Sequence, residues 1–297
     1  GREEGAGRFD PAGFLLAGLG LALFMYALTE GPSYGWSSPN ILITFFAGLA
    51  LLGVFIAVEL RVKEPMLDLR LFGERLFRTC NLVTLFSSAG FLGLLFAVPL
   101  FLQEGQGVSP LLSGLTTFPE ALGVVTSSQI VTLFYAQIGP RRLAASGLAL
   151  VTVTMSLFFL VGLQTDLWVT RLLMFLTGVG MGCTFIPVNT ASFANISHAA
   201  TGRASALSNA QRQIGSALGI ALVSTMLGIV GLTTVDAHGI VQPNLNAYHI
   251  AFVTSAVLAL IASGISLTIR DRDAASTMQP EDSVEKGASL EMPMVEI

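Results

Sequence analysis

The sequence predicts an all-α integral membrane protein with about eight transmembrane helices, and three observations carry that prediction. Mean hydropathy is +0.72, and of the 297 residues 53% are hydrophobic and 11% charged, against about a quarter charged in a soluble globular protein. The apolar residues gather into eight runs, each close to the ~20 residues a helix needs to cross a ~30 Å hydrocarbon core. The runs do not alternate apolar with polar positions, as a membrane β-barrel would. Finally, positive charge appears in every second loop.

In chain order the predicted spans are 13–29, 41–59, 81–102, 111–136, 143–163, 168–193, 204–230 and 247–269. The seventh is the weakest by composition. Its first turns, 204–213, are polar and carry Arg212, so the apolar part, 214–230, barely spans. Charge decides in its favour. Arg2 and Arg8 precede the first span, Arg61, Lys63, Arg70, Arg75 and Arg78 follow the second, Arg141 and Arg142 the fourth, and Arg203 the sixth. Arg270, Arg272 and Lys286 lie in the tail, while the loops 31–40, 103–109 and 236–246 hold no Lys or Arg. This positive-inside alternation needs an even number of spans and places both termini in the cytoplasm. Trp36 and Trp168 fall at span ends on the outward side, where interfacial anchors belong.

Several function classes are excluded or disfavoured by the same reading. The net charge of −4 comes partly from a polar tail, 271–297, that lacks apolar periodicity and is expected to be disordered. There is no nucleic-acid signature. Cys80 and Cys183 lack metal-ligand spacing and are expected to pack as small apolar groups. No HExxH, no paired membrane aspartates and no Ser with a His at span depth are present, so no enzyme and no cofactor are expected.

Several separate stretches carry a family resemblance. The opening FDPAGFLLAGLGLALFMYAL with EGPSYGW leads to ELRVKEPMLDLRLF, with Glu59, Arg61, Pro65, Leu67, Asp68, Arg70, Leu71 and Phe72. PLFLQEGQGVSPLLSGL and IGPRRL follow, then GVGMGCTFIP and SNAQRQIGSALGIA. Together they resemble the major facilitator superfamily, and within it the fourteen-span drug:proton antiporters that include many bacterial multidrug exporters. The resemblance implies a cytoplasmic linker at 1–12, two additional transmembrane helices at 13–60, a basic cytoplasmic loop at 61–78, a carboxy-terminal six-helix bundle at 79–269 and a disordered cytoplasmic tail at 270–297. On that alignment the chain corresponds to spans seven to fourteen, and an amino-terminal six-helix bundle is expected as its missing partner. The superfamily's loop motif is represented by Gly139, Arg141 and Arg142, but Thr132 and Ala136 stand where the family commonly writes Gly and Asp.

Glu120, in TTFPEALG, is the sharpest candidate for substrate or proton coupling, since it lies about 14 Å along a helix from Leu111 and so near mid-membrane. An ionised acid at a helix centre costs about 3 kcal/mol, so the residue is expected to face a water-filled cavity, a partner or a proton. The alternative is a protonated packing residue beside the Pro119 kink. Arg212 is the second candidate, with Asn209 three residues before it and Gln213 adding polar contacts; its alternative is an Arg snorkelling to the cytoplasmic interface. Gly178 with Gly182, and Gly215 with Gly219, form small-xxx-small patterns expected to bring helix backbones together. Pro99, Pro119 and Pro187 sit within spans and are expected to kink them. Arg171 is placed at the outer interface with Asp166 near enough to share its charge, His198, His238 and His249 lie in or beside loops, and Glu30, Glu59 and Glu104 read as interfacial.

The expected activity, by resemblance, is proton-coupled efflux of amphipathic or cationic drug-like compounds by alternating access across the bacterial cytoplasmic membrane, with lipid, protons and the small-molecule cargo as partners. A non-transporting membrane scaffold, or the remnant of a truncated transporter, is the alternative.

Overall fold

The structure, a computed structural model, describes residues 11–62, 67–236 and 238–278. Residues 1–10 of the expected linker, Lys63 and Pro65 of the basic loop, and 279–297 of the expected tail, with Lys286, lie outside the described residues.

Eight helical segments are long and apolar enough to cross a membrane. They are α1 (Pro11–Tyr34), α2 (Pro39–Glu59), α3 (Arg75–Leu100), the pair α4 (Pro110–Thr117) and α5 (Pro119–Ile138) in one span, α6 (Pro140–Leu157), α7 (Leu167–Ser192), α8 (Thr201–Val230) and α9 (Leu245–Ser266). The starts follow local chemistry. Ser38 and Ser109 each cap a helix whose first residue is proline, accepting from the Ile41 and Leu112 amides at 3.4 and 3.3 Å. These side chains satisfy amides that the first turn leaves without a partner, and proline there has no donor to lose. Pro119 splits the fourth span into α4 and α5, and after Pro99 the third span ends in a π-type turn, Phe101–Gly105. Pro187 stays inside α7.

Helices α3 to α9 form one bundle, in which α3 packs against α8 and α9, α7 against α5 and α6, and α6 against α9. The hairpin α1–α2 packs mainly on itself and reaches the bundle through α1 and α8. Trp36 fixes that junction. Its indole Nε1 donates to Thr225 Oγ1 at 2.7 Å, and its ring lies against Gly31, where a Cβ would stand 2.8 Å away. An anchor expected in lipid headgroups is therefore an intramolecular clasp.

The segment between α2 and α3 departs from the expected basic loop in two ways. It ends at Glu74, whose carboxylate caps the Phe77 amide, so Arg75 and Arg78 already belong to α3. Glu59, expected at the interface, is 2% exposed and accepts from the Leu67 amide at 3.3 Å, while the Arg70 guanidinium donates to the Leu60 carbonyl at 3.1 Å. The charged string folds the chain back on itself. On the other side of the bundle, the α8–α9 connection forms a hairpin of β1 (Thr233–Val235) and β2 (Val241–Pro243). Asp236 holds its tip, accepting from the amides of His238 and Ile240 at 2.9 Å.

The tail requires a correction. Residues expected to be disordered from 270 onward include a 3-10 turn, Asp271–Thr277, with Ala274 fully buried. Thr277 bonds Tyr135 Oη at 2.9 Å and the Ser276 hydroxyl donates to the Ala194 carbonyl at 3.2 Å. Polar anchors hold this segment, so apolar periodicity could not reveal it.

Candidate functional site

A cavity of about 590 Å³ opens among the cytoplasmic ends, by the charge reading, of α3, α7 and α8. Its wall joins amides and hydroxyls (Asn81, Asn189, Asn209, Thr84, Ser205, Ser208) to the apolar faces of Phe185, Ile186 and Phe193 and to one ionisable side chain, Arg212. The volume lies within the ~300–1,000 Å³ of ordinary small-molecule sites.

Two glycine seams hold these helices. A Cβ on Gly219 or Gly215 of α8 would overlap the carbonyls of Ala89 or Leu85 of α3, and one on Gly178 or Gly182 of α7 would overlap the Glu120 carbonyl or the Ser127 hydroxyl of α5. Small residues allow such backbone approach, which supplies the dispersion contact that drives association where lipid is as apolar as the helix. On α7 the cavity wall begins around Pro187, which has no amide to donate to the preceding turn.

Within the cavity, the Asn81 amide donates to the Phe77 carbonyl at 2.8 Å, and Gln211 Nε2 donates to the Asn81 carbonyl at 3.2 Å. Arg212 donates to Asn209 Oδ1. Ser208 Oγ and Gln211 Oε1 are buried without a hydrogen-bond partner among the described residues. Of the polar candidates read from the sequence, Asn209 and Arg212 thus meet in the cavity, while Gln213 is exposed on α8 and is not among the lining residues.

Glu120 stands elsewhere. It occupies the first turn of α5 and is half-buried, with its backbone carbonyl against Gly178. It lies 18 residues before the Ile138 end of α5, while Arg212 lies 11 residues after the Thr201 start of α8. At 1.5 Å per residue this puts Glu120 about 10 Å farther from the cytoplasmic ends than Arg212. The cavity does not include it.

The loop-motif residues sit at the α5–α6 junction. Gly139 has φ +84°, a conformation that disfavours any side chain, and a Cβ there would stand 2.9 Å from the Asp271 carboxyl. Asp271 Oδ1 accepts from the Arg141 amide at 2.9 Å, so the tail places a carboxylate at the start of α6. Arg141 and Arg142 side chains are exposed. The acid lacking at Ala136 has a counterpart 135 residues later in the chain.

Two further residues are placed differently from expectation. Asp166 caps the Trp168 amide at 2.8 Å while the Arg171 guanidinium lies over the Trp168 ring at 4.5 Å, so Asp166 and Arg171 do not pair. His249 lies inside α9, where Nε2 meets the Val161 carbonyl at 2.9 Å. Asn81, Asn189 and Ser208 were not singled out from sequence. An Asn inside or just after an apolar run was the available signal.

Comparison with known proteins gives a consistent picture. Residues 9–220 match the family model described as Major Facilitator Superfamily. The chain is 30% identical over 230 residues to a protein named Multidrug resistance protein B homolog from Mycobacterium tuberculosis, covering 76% of this chain and 43% of that one. It is 32% identical over 224 residues to a Tetracycline resistance determinant of Streptomyces rimosus, covering 73% and 65%, and 29% identical over 281 residues to a Puromycin resistance protein of Streptomyces alboniger, covering 91% and 55%. The chain therefore spans between 43% and 65% of the length of these relatives.

Proposed function

The chain belongs to the major facilitator superfamily, and from that premise we propose that it forms the carboxy-terminal bundle and two additional helices of a proton-coupled exporter of amphipathic compounds. An opposing six-helix bundle completes the site, and the pair rocks to expose it to either side of a bacterial cytoplasmic membrane. The names of the relatives, which specify resistance to several drugs, to tetracycline and to puromycin, support a drug-like cargo. The observation that carries the reading is the cavity at the cytoplasmic ends of α3, α7 and α8, with a polar floor and aromatic walls. Cargo entering there from the cytoplasm is held by its apolar body, which tolerates varied shapes.

Glu120 is the proposed proton carrier, since a mid-membrane carboxyl is costly to retain without a task and no hydrogen bond or ion pair to its carboxyl is found among the described residues. The reading predicts that efflux-deficient bacteria carrying the gene in its natural context accumulate less tetracycline. A protonophore, or Glu120→Gln, should restore accumulation. Equal accumulation with and without the gene overturns the proposal, and efflux indifferent to both treatments overturns its proton coupling.

A further inference from the structure

We infer that the cavity at the cytoplasmic ends of α3, α7 and α8 selects amphipathic compounds that carry an anionic group, with Arg212 as the residue that binds the anion. The inference rests on the reading of this cavity as the cargo site and names the class of cargo. It starts from an imbalance of charge. Among the described lining residues Arg212 alone is ionisable, and none is a carboxylate. Of the acids at this end of the bundle, Glu74 accepts from the Asn195 side chain at 3.2 Å with one oxygen and caps the Phe77 amide with the other, and Asp271 accepts from the Arg141 amide.

Arg212 itself has donors to spare. A guanidinium carries five N–H donors in a planar fork suited to two oxygens at once, and the structure commits one nitrogen, Nη2, to Asn209 Oδ1. That bond fixes the fork without neutralising it, because an amide oxygen brings no net charge. The Arg212 side chain is exposed, as a charge facing a water-filled cavity is, and the described lining residues offer it no counter-charge. Beside it Ser208 Oγ is buried and has no hydrogen-bond partner among the described residues. The apolar faces of Phe185 and Phe193 border the same space and accommodate a ring system. Acid head and apolar body are thus both provided for, whereas a cationic head meets Arg212 with like charge and finds no carboxylate among the described lining residues of this half of the site. The expectation of cationic cargo rested on Glu120, which lies outside this cavity.

The protein in its natural full-length context, in phosphatidylcholine nanodiscs, can be titrated with fluorescein, an amphipathic anion, and with a cationic rhodamine of matched size, following anisotropy. Fluorescein should bind about tenfold more tightly or better, the effect of one charge-assisted pair. Arg212→Gln should remove about that factor for fluorescein and should not weaken rhodamine, which loses a like charge, while Arg212→Lys recovers part of the fluorescein affinity through charge without the fork. Equal affinity for the two dyes, or fluorescein binding indifferent to Arg212→Gln, overturns the inference. Nanodiscs enriched in phosphatidylglycerol separate the sources of the anion: Arg212-dependent displacement of fluorescein assigns the site to a lipid headgroup, and its persistence to a free amphipathic acid. Anion selectivity in nanodiscs with no efflux in cells removes the export reading alone, and efflux without selectivity removes this inference alone.

Discussion

At the ends of the six-helix bundle that the charge reading turns outward, Phe101 meets Tyr248 at 5.3 Å and Phe252 at 5.7 Å between ring centroids, and Phe158 closes on Phe252 at 5.2 Å. Phe101, Phe158, Tyr248 and Phe252 are all fully buried. At the opposite ends, cytoplasmic by the charge reading, α3, α7 and α8 border a cavity of about 590 Å³ lined by amides and hydroxyls. One sequence of helices is sealed at one end and hollow at the other. The contrast arises from residue choice along each helix: α3 places Asn81 and Thr84 in its first half and Phe91, Leu94, Ala97 and Val98 in its second, and α7 places Met174 before and Asn189 after Pro187. Between the two regions run the glycine seams, which let α8 press on α3 and α7 on α5 without filling the cavity.

The seam is where that comparison breaks most readily. Gly219→Leu forces a side chain into the Ala89 carbonyl and should cost about 3 kcal/mol or more, seen as a large drop in thermal unfolding temperature in detergent. Gly228→Leu, on the same helix with open space around its Cβ, should leave the transition nearly unmoved. Equal effects would show that backbone approach does not hold the bundle.

Next comes the aromatic plug. In water a buried Phe→Ala costs transfer and cavity terms together, but lipid is as apolar as the core, so mainly the cavity term remains. Phe101→Ala should therefore destabilise by about 2 kcal/mol, and Phe185→Ala on the cavity wall by clearly less, in the same assay. A reversed order would place the stable core at the cytoplasmic end. The smallest effect belongs to the tail. Asp271→Ala removes the carboxylate at the start of α6 and should cost about 1 kcal/mol, with faster hydrogen exchange confined to the α5–α6 junction and residues 270–278.

The span pattern was legible because it is written locally, in runs of apolar residues and in charges beside them, and the break at Pro119 follows from one residue's chemistry. The glycine pairs at four-residue spacing were legible for the same reason. The cavity was not, since Asn81, Asn189 and Ser208 come from three helices and each alone is an ordinary polar residue at a helix end. Trp36 and Thr225 are 189 residues apart, and Arg141 and Asp271 are 130 apart. No periodicity encodes such pairs. Glu59 was misplaced because a carboxylate at a span end reads as solvent-facing, whereas the Leu67 amide draws it inward.

The central claim, that the hollow end is a ligand site open to the cytoplasm, is tested most directly by cysteine accessibility. Ser205→Cys, on the cavity wall, is introduced after Cys80 and Cys183 are replaced by alanine, and labelled with a membrane-impermeant maleimide. The account predicts labelling in inside-out vesicles, slowed by fluorescein, and little labelling in right-side-out vesicles. Labelling from the outer side alone, or labelling from the inside that fluorescein leaves unchanged, would contradict it.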